Sequence, residues 1–130
     1  MNIAFFSTRS YEKDTFLALF DTASTKATPP INVSFYEHGL NKHTAHLCKG
    51  ISVVVVFVND DVCAATIKIL NECGVEHIAL RCAGFNNVDI AAATQCGISV
   101  SRVPAYSPET VAEHTLALIL TLNRKTHKAY

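Results

Sequence analysis

The sequence lacks the short glycine motifs by which many proteins bind nucleotides. Its five glycines stand at positions 39, 50, 74, 84 and 97, and this spacing excludes both the G-x-G-x-x-G fingerprint of dinucleotide-binding domains and the P-loop. No serine is flanked by the two glycines of a nucleophile elbow, which excludes that class of serine hydrolase. The sequence therefore carries no recognisable nucleotide site and no recognisable covalent catalyst.

Charge of one sign and long apolar runs are also missing. Eleven basic and eleven acidic residues give a formal net charge of zero, so no basic face indicates nucleic acid and no acidic tail indicates a charged partner. The longest apolar run, residues 53–58, is far shorter than the roughly 20 residues of a membrane helix. The first ten residues lack the features of a signal peptide. We expect a cytoplasmic protein with no nucleic-acid or membrane partner.

Cysteines at metal or disulfide spacing are absent too. The five cysteines are an odd number with no C-x-x-C pair, which favours reduced, buried thiols. His38, His43, His46 and Cys48 are ligand types within eleven residues, but they lie in a polar connection and no second pair follows them. We therefore expect no metal site.

Five short apolar stretches alternate with helical patterns, and none is joined to the next by a tight hairpin. We predict strands at 2–6, 31–36, 52–58, 77–80 and 98–103, and helices at 11–20, 62–73 and 88–96. The valine-rich stretch 52–58 is typical of a central parallel strand, whereas the alternation in 31–36 indicates an edge strand. The pattern predicts an α/β fold with a doubly wound, parallel five-stranded sheet of flavodoxin-like type.

The helix boundaries are predicted from capping residues. Asn59-Asp60-Asp61 can cap the helix at 62–73, and Gly74 and Gly97 follow the ends of two helices. Residues 22–30, which end in two prolines, are predicted to form a loop.

A final helix is predicted from Ser107, which is placed to cap it, and Pro108, which suits its first turn. Within residues 116–122 only Thr121 is polar, so apolar side chains surround most of this helix. We expect one apolar side to pack on the domain and the other on a part of a longer protein. The predicted organisation is a domain segment over 1–107 followed by an interdomain helix over 108–130.

Two loops at the carboxyl ends of predicted strands are candidate ligand sites. Gly84 follows the fourth strand, where it serves either as an ordinary turn or as part of a backbone cradle for a carboxylate or phosphate. Tyr106, between two prolines, either binds the same ligand or covers the sheet edge. Arg81 is expected to pair with Asp89 or a helix end rather than bind substrate. His77 and His114 are expected to be structural.

Five segments together resemble one enzyme family. They are ALRCAGFNNVD, VPAYSPETVAEHT, LNRKTH, FVNDD and AFFSTRSYEK, and they are similar to the NAD-dependent D-2-hydroxyacid dehydrogenases, in particular the bacterial fermentative D-lactate branch. The resemblance is specific over 79–114 and weak over 20–50.

This resemblance implies a discontinuous substrate domain whose first segment is the present chain. It implies that the substrate carboxylate is held by the backbone N–H groups of Ala83 and Gly84, in the loop 82–86, and that Tyr106 helps to position the substrate. The family's catalytic arginine, histidine and carboxylate, and its NAD-binding residues, would lie beyond Tyr130. We therefore assign no catalytic, cofactor-binding or metal residue within this chain.

The resulting hypothesis is the amino-terminal part of a homo-oligomeric enzyme that reduces pyruvate to D-lactate with NADH. The chain alone is expected to be inactive and to associate through residues 109–130. The alternatives are a relative that acts on another 2-keto acid and a free-standing flavodoxin-like ligand-binding domain.

Overall fold

The computed structural model is a five-stranded parallel sheet with helices on both faces. It describes residues 1–24 and 30–128, with the side chains of 22–24 outside that description. The strands are β1 (Asn2–Phe5), β2 (Asn32–Phe35), β3 (Val53–Val56), β4 (His77–Leu80) and β5 (Ser99–Ser101). The α-helices are α1 (Ser10–Ser24), α2 (Ala64–Glu72), α3 (Ile90–Gln95) and α4 (Pro108–Arg124), with 3₁₀ turns at Ala45–Cys48 and Thr126–Lys128.

The strand order is β2-β1-β3-β4-β5, and all four pairings are parallel. The valine strand β3 lies at the centre, and β2 lies at an edge, as their sequence patterns predicted. Val54 and Val56 are fully buried, because helices cover both faces of a central parallel strand. The prediction of a doubly wound α/β sheet is confirmed.

The two faces of the sheet bury different clusters. On one face, Ile67 and Leu70 of α2 pack with Val54 and Val56 of β3. Positions 67 and 70 are one helical turn apart, so both side chains point to the sheet. On the other face, α1 brings Phe16 to within 4.7 Å of Phe5, measured between ring centroids. Each face therefore has a core supplied by its own helices.

Several predicted helix boundaries are wrong by a few residues. Helix α3 begins at Ile90, two residues later than predicted, because Asp89 caps it: its carboxylate accepts the Ala92 N–H at 2.9 Å. Helix α1 continues to Ser24, so the predicted loop at 22–30 begins too early, and its residues 25–29 lie outside the described residues. Gly74 and Gly97 do follow the ends of α2 and α3, with φ of 88° and 71°, which glycine adopts without strain.

The predicted capping of α2 by Asn59-Asp60-Asp61 is also wrong. The residue at the N-cap is Cys63, and it makes no side-chain capping hydrogen bond. Asp60 is instead buried beneath the loops at the carboxyl edge of the sheet. Asp61 is the nearest to the predicted role, since its carboxylate accepts the Cys63 N–H at 3.2 Å.

Helix α4 extends away from this core. It has no buried residue, and its large apolar side chains are all more than half exposed: Val111, Leu116, Leu118, Ile119, Leu120 and Leu122. The expectation that one side of α4 packs on the domain is wrong. An apolar pattern indicates that a helix favours burial, but it does not indicate which part of the protein packs against it. No helix in the described part of the chain is long and apolar enough to cross a membrane.

The ends of α4 are built from residues in the left-handed region. Ser107 has φ of 40° and makes no side-chain bond to a helix N–H; its hydroxyl meets that of Thr110 at 2.7 Å. The predicted Ser107 side-chain cap is therefore wrong, although Pro108 does occupy the first turn. At the other end Lys125, with φ of 53°, donates its N–H to Thr121 O.

Candidate functional site

A cavity of about 560 Å³ opens at the carboxyl ends of β3, β4 and β5. Its lining residues are Phe57, Val58, Arg81, Cys82, Ala83, Gly84, Val103 and Tyr106. The two loops singled out from the sequence meet here, so Ala83, Gly84 and Tyr106 share one wall. Parallel strands carry their connecting loops to the same edge of the sheet, which explains why residues so far apart in sequence converge.

The loop that contains Gly84 leaves backbone donors free. Among the described residues, the N–H groups of Ala83 and Gly84 donate to no atom of the chain. Gly84 does not have a positive φ, and a Cβ added to it would meet no atom within 4 Å. The chain therefore does not itself require glycine at this turn. The open space instead permits a ligand to approach two adjacent N–H groups, the arrangement that binds carboxylates and phosphates.

Arg81 contributes structure rather than a free positive charge. It forms an ion pair with Glu12, and its Nη2 donates to the carbonyl oxygens of Phe6 at 2.7 Å and Ser7 at 3.2 Å. The guanidinium also lies 5.1 Å from the centre of the Phe57 ring. The predicted structural role is thus supported. Of the two predicted partners, Asp89 is wrong because it caps α3, whereas Glu12 lies in the first turn of α1 and agrees with the alternative of a helix end.

Asp60 joins three loops beside the cavity, a role that the sequence did not reveal. One carboxylate oxygen accepts the Ser7 hydroxyl at 2.7 Å and the Leu40 N–H at 2.8 Å. The other accepts the Phe57 N–H at 2.6 Å. A Cβ on Gly39 would approach the carboxylate to 3.0 Å, so a larger residue there would crowd Asp60. An acidic pair directly after a buried strand was the only signal.

Asn87 extends this network to the glycine loop. Its side-chain amide donates to the carbonyl oxygens of Phe57 and Asp60, both at 3.0 Å. Beside it, Val62 and Val88 form an isolated parallel bridge. The loops after β3 and β4 are therefore held in a common register, which places Phe57 and Gly84 on the same cavity.

Two side chains hold the carbonyl groups of the glycine loop. Arg102 Nη1 donates to Ala83 O at 2.8 Å, and Cys82 Sγ donates to Gly84 O at 3.2 Å. The pKa of the Cys82 thiol is raised, mainly by burial and further by Asp60, while Arg81 opposes the shift. The thiol is therefore protonated near neutral pH and acts as a donor, not as a nucleophile.

Tyr106 is 78% exposed while lining the cavity. The structure places it beside Gly84, as expected. Its exposure suits both a ligand contact and a surface position over the sheet edge.

The remaining singled-out side chains lie elsewhere. His77 joins the hydroxyls of Ser99 and Ser101 at 2.7 and 2.8 Å across β4 and β5. His38 packs on the rings of Phe6 and Tyr36. In the described part of the chain no group of three or more His, Cys, Asp or Glu side chains is placed to hold a metal ion. Burial raises the pKa of the Cys48 thiol to about 12, so it is a poor ligand.

A dinucleotide does not fit the described residues. No carboxylate lines the 560 Å³ cavity, and an acidic side chain is the usual partner of an NAD ribose. A second cavity of about 110 Å³, between the ends of β1 and β3, holds Glu12 and Glu37 but no glycine. Neither cavity supplies the glycine-rich phosphate loop of a dinucleotide site.

Comparison with known proteins finds relatives that are described as dehydrogenases of hydroxy acids. A family profile described as D-isomer specific 2-hydroxyacid dehydrogenase, catalytic domain, matches residues 3–130. The 2-hydroxyacid dehydrogenase homolog 1 of Schizosaccharomyces pombe is 52% identical over 130 residues, which is 100% of this chain and 37% of the relative. The D-lactate dehydrogenase of Escherichia coli is 42% identical, over 100% of this chain and 38% of its own length.

Solved structures agree with these relatives. The apo-structure of Escherichia coli D-lactate dehydrogenase superposes with a TM-score of 0.79 at 42% identity, covering 100% of this chain and 39% of that one. The Aquifex aeolicus D-lactate dehydrogenase complexed with NAD and lactic acid gives a TM-score of 0.73 at 29% identity, covering 93% of this chain and 33% of that one. The chain spans well under half the length of these relatives. With its fold, its glycine loop and these matches in agreement, the chain belongs to the D-isomer specific 2-hydroxyacid dehydrogenase family.

Proposed function

We propose that this chain forms the carboxylate-binding part of an NAD-dependent dehydrogenase that interconverts pyruvate and D-lactate. The observation that carries the proposal is the pair of unpaired N–H groups at Ala83 and Gly84, open to a cavity that Tyr106 also lines. Two such donors match the two oxygens of a carboxylate. The D-lactate dehydrogenases among the relatives support lactate as the substrate class.

The chain's own residues bind and orient the substrate in this proposal. The N–H groups hold the carboxylate, the Tyr106 hydroxyl supplies one further hydrogen bond, and Phe57 and Val103 exclude water from that side of the cavity. Hydride transfer and the proton on the keto oxygen are assigned to residues outside this chain. In that arrangement residues 1–107 are a substrate-domain segment and 108–130 an interdomain helix of a homo-oligomer.

A larger 2-keto acid is a second candidate substrate. The cavity is lined largely by apolar side chains, which suits a 2-keto acid with a larger apolar side chain. Comparing kcat/KM for pyruvate with that for branched or aromatic 2-keto acids distinguishes these substrates. A preference of more than tenfold for the larger acids would reassign the substrate while leaving the carboxylate site intact.

The test of the carboxylate site is Tyr106→Phe in the full-length protein that contains this chain. Loss of one hydrogen bond worth about 1 kcal/mol predicts a roughly fivefold rise in KM for pyruvate with KM for NADH unchanged. Tyr11→Phe is the matched control, since Tyr11 is 75% exposed and lies on α1. Weakened NADH binding with normal pyruvate kinetics would contradict this role for Tyr106. The 130-residue chain alone is expected to show no NADH oxidation above background.

A further inference from the structure

The peptide group between Ala83 and Gly84 is held from one side by a single side chain. Arg102 Nη1 donates to the Ala83 carbonyl oxygen at 2.8 Å. In a trans peptide the C=O and the following N–H lie in one plane and point in opposite directions. Whatever holds the Ala83 carbonyl therefore also sets the direction of the Gly84 N–H.

Arg102 is itself well anchored. Its Nη1 also reaches Pro104 O at 3.3 Å, and its guanidinium lies 5.2 Å from the centre of the Phe85 ring. The contacts to Ala83, Pro104 and Phe85 join the glycine loop to the loop that carries Tyr106. A planar guanidinium stacked on a ring loses little further freedom when it makes such bonds.

Arg102 contacts this peptide at its carbonyl oxygen. Ala83 and Gly84 line the 560 Å³ cavity, whereas Arg102 is not among the described residues that line it. The carbonyl turns toward Arg102, so the Gly84 N–H points away from the guanidinium. A cationic donor on the carbonyl also polarises the peptide, which makes its N–H a stronger donor.

We propose that Arg102 is a positioning residue that aims the Gly84 N–H at the substrate carboxylate. The effect on substrate rests on the proposed function, but the effect on the peptide does not. Arg102 is exposed, so its replacement leaves the buried core intact.

The rival explanation is charge alone, in which an exposed cation attracts any anionic substrate. Three substitutions separate the two. Arg102→Ala removes both the charge and the donor, Arg102→Lys keeps the charge on a side chain without the planar fork, and Arg102→Gln keeps a neutral N–H donor. Lys68→Ala is the control, because it removes an exposed charge from α2.

The first measurement is independent of the reaction. In full-length protein labelled with ¹⁵N-glycine, Gly84→Ala identifies the Gly84 amide signal. Arg102→Ala is expected to shift that signal more than the signals of Gly39, Gly50, Gly74 and Gly97, and Lys68→Ala is expected to leave it in place. An unmoved Gly84 signal in Arg102→Ala overturns the inference whatever the enzyme's substrate is.

The second measurement concerns the substrate. Arg102→Ala is expected to raise KM for pyruvate about tenfold, with kcat within twofold and KM for NADH unchanged. The KM for pyruvate of Arg102→Gln should lie between those of Arg102→Ala and the unsubstituted protein. If Arg102→Lys had the KM for pyruvate of the unsubstituted protein while Arg102→Gln had that of Arg102→Ala, the positioning role would be overturned in favour of an effect of charge alone. Absence of pyruvate reduction by the unmodified protein would refute the proposed function, and the amide signal would still decide the inference.

Discussion

Strand β3 and residues 116–122 of helix α4 are both rich in apolar side chains but differ in burial. Val54 and Val56 of β3 are completely buried, whereas Leu118 and Leu122 of α4 are 52% and 70% exposed. The strand is covered because its neighbours β1 and β4 and the helices on both faces come from this same chain. The helix has no such neighbour among the described residues. Apolar composition therefore indicates how much surface is favourable to bury, and the tertiary fold decides whether residues of this chain bury it.

The largest loss of stability is expected at the carboxyl end of β3, where a buried polar group stands next to an exposed one. Asp60→Ala leaves the Ser7 hydroxyl and the N–H groups of Leu40 and Phe57 without an acceptor, at a cost of about 3–4 kcal/mol in the free energy of unfolding. Asp61→Ala, at an exposed position, should cost less than about 1 kcal/mol. Urea denaturation measures both. Equal losses would show that the Asp60 network does not hold the sheet edge together.

A matched leucine pair tests the apolar comparison directly. Leu70→Ala removes a fully buried side chain from α2 and is expected to cost about 3 kcal/mol of unfolding free energy through lost burial and a cavity. Leu118→Ala on α4 is expected to cost less than about 0.5 kcal/mol. Both are measured at low protein concentration, so that association does not contribute. A similar cost for Leu118 would mean that α4 packs on the domain after all.

The smallest effect concerns association through α4. Burying a few hundred Å² of its apolar surface at about 25 cal/mol per Å² favours self-association by several kcal/mol before entropy costs. Leu118→Glu with Leu122→Glu should raise the dissociation constant more than tenfold, or about 1.4 kcal/mol. Ala112→Glu with Asn123→Glu adds the same two carboxylates on another side of the helix and is the control. Light scattering measures the assembly state. If the chain without substitutions is a monomer at high concentration, this prediction is contradicted.

The site was predictable where it depended on strand ends and motifs. Gly84 and Tyr106 follow two apolar strands, and strands of a parallel sheet bring their following loops together, so their meeting could be predicted from order alone. The anchoring contacts could not. Arg81 reaches Glu12, 69 positions away in sequence, and no local pattern indicates which distant carboxylate an arginine will find. Asp60 looked like a helix cap because the same residue type satisfies either kind of backbone donor.

The sequence by itself determined the alternation of strands and helices, the central place of the valine strand and the family resemblance of the 79–114 region. The first two follow from local periodicity and composition, which act over a few residues, and the third rests on the match of its motifs to those of the family. Tertiary structure alone decided that Asp60 lies beneath three loops and that Arg102 holds the Ala83 carbonyl. It also decided that the apolar side chains of α4 are exposed instead of packing on the domain. Each of these depends on which distant groups approach within hydrogen-bonding or packing distance, and that is set by how the whole chain folds.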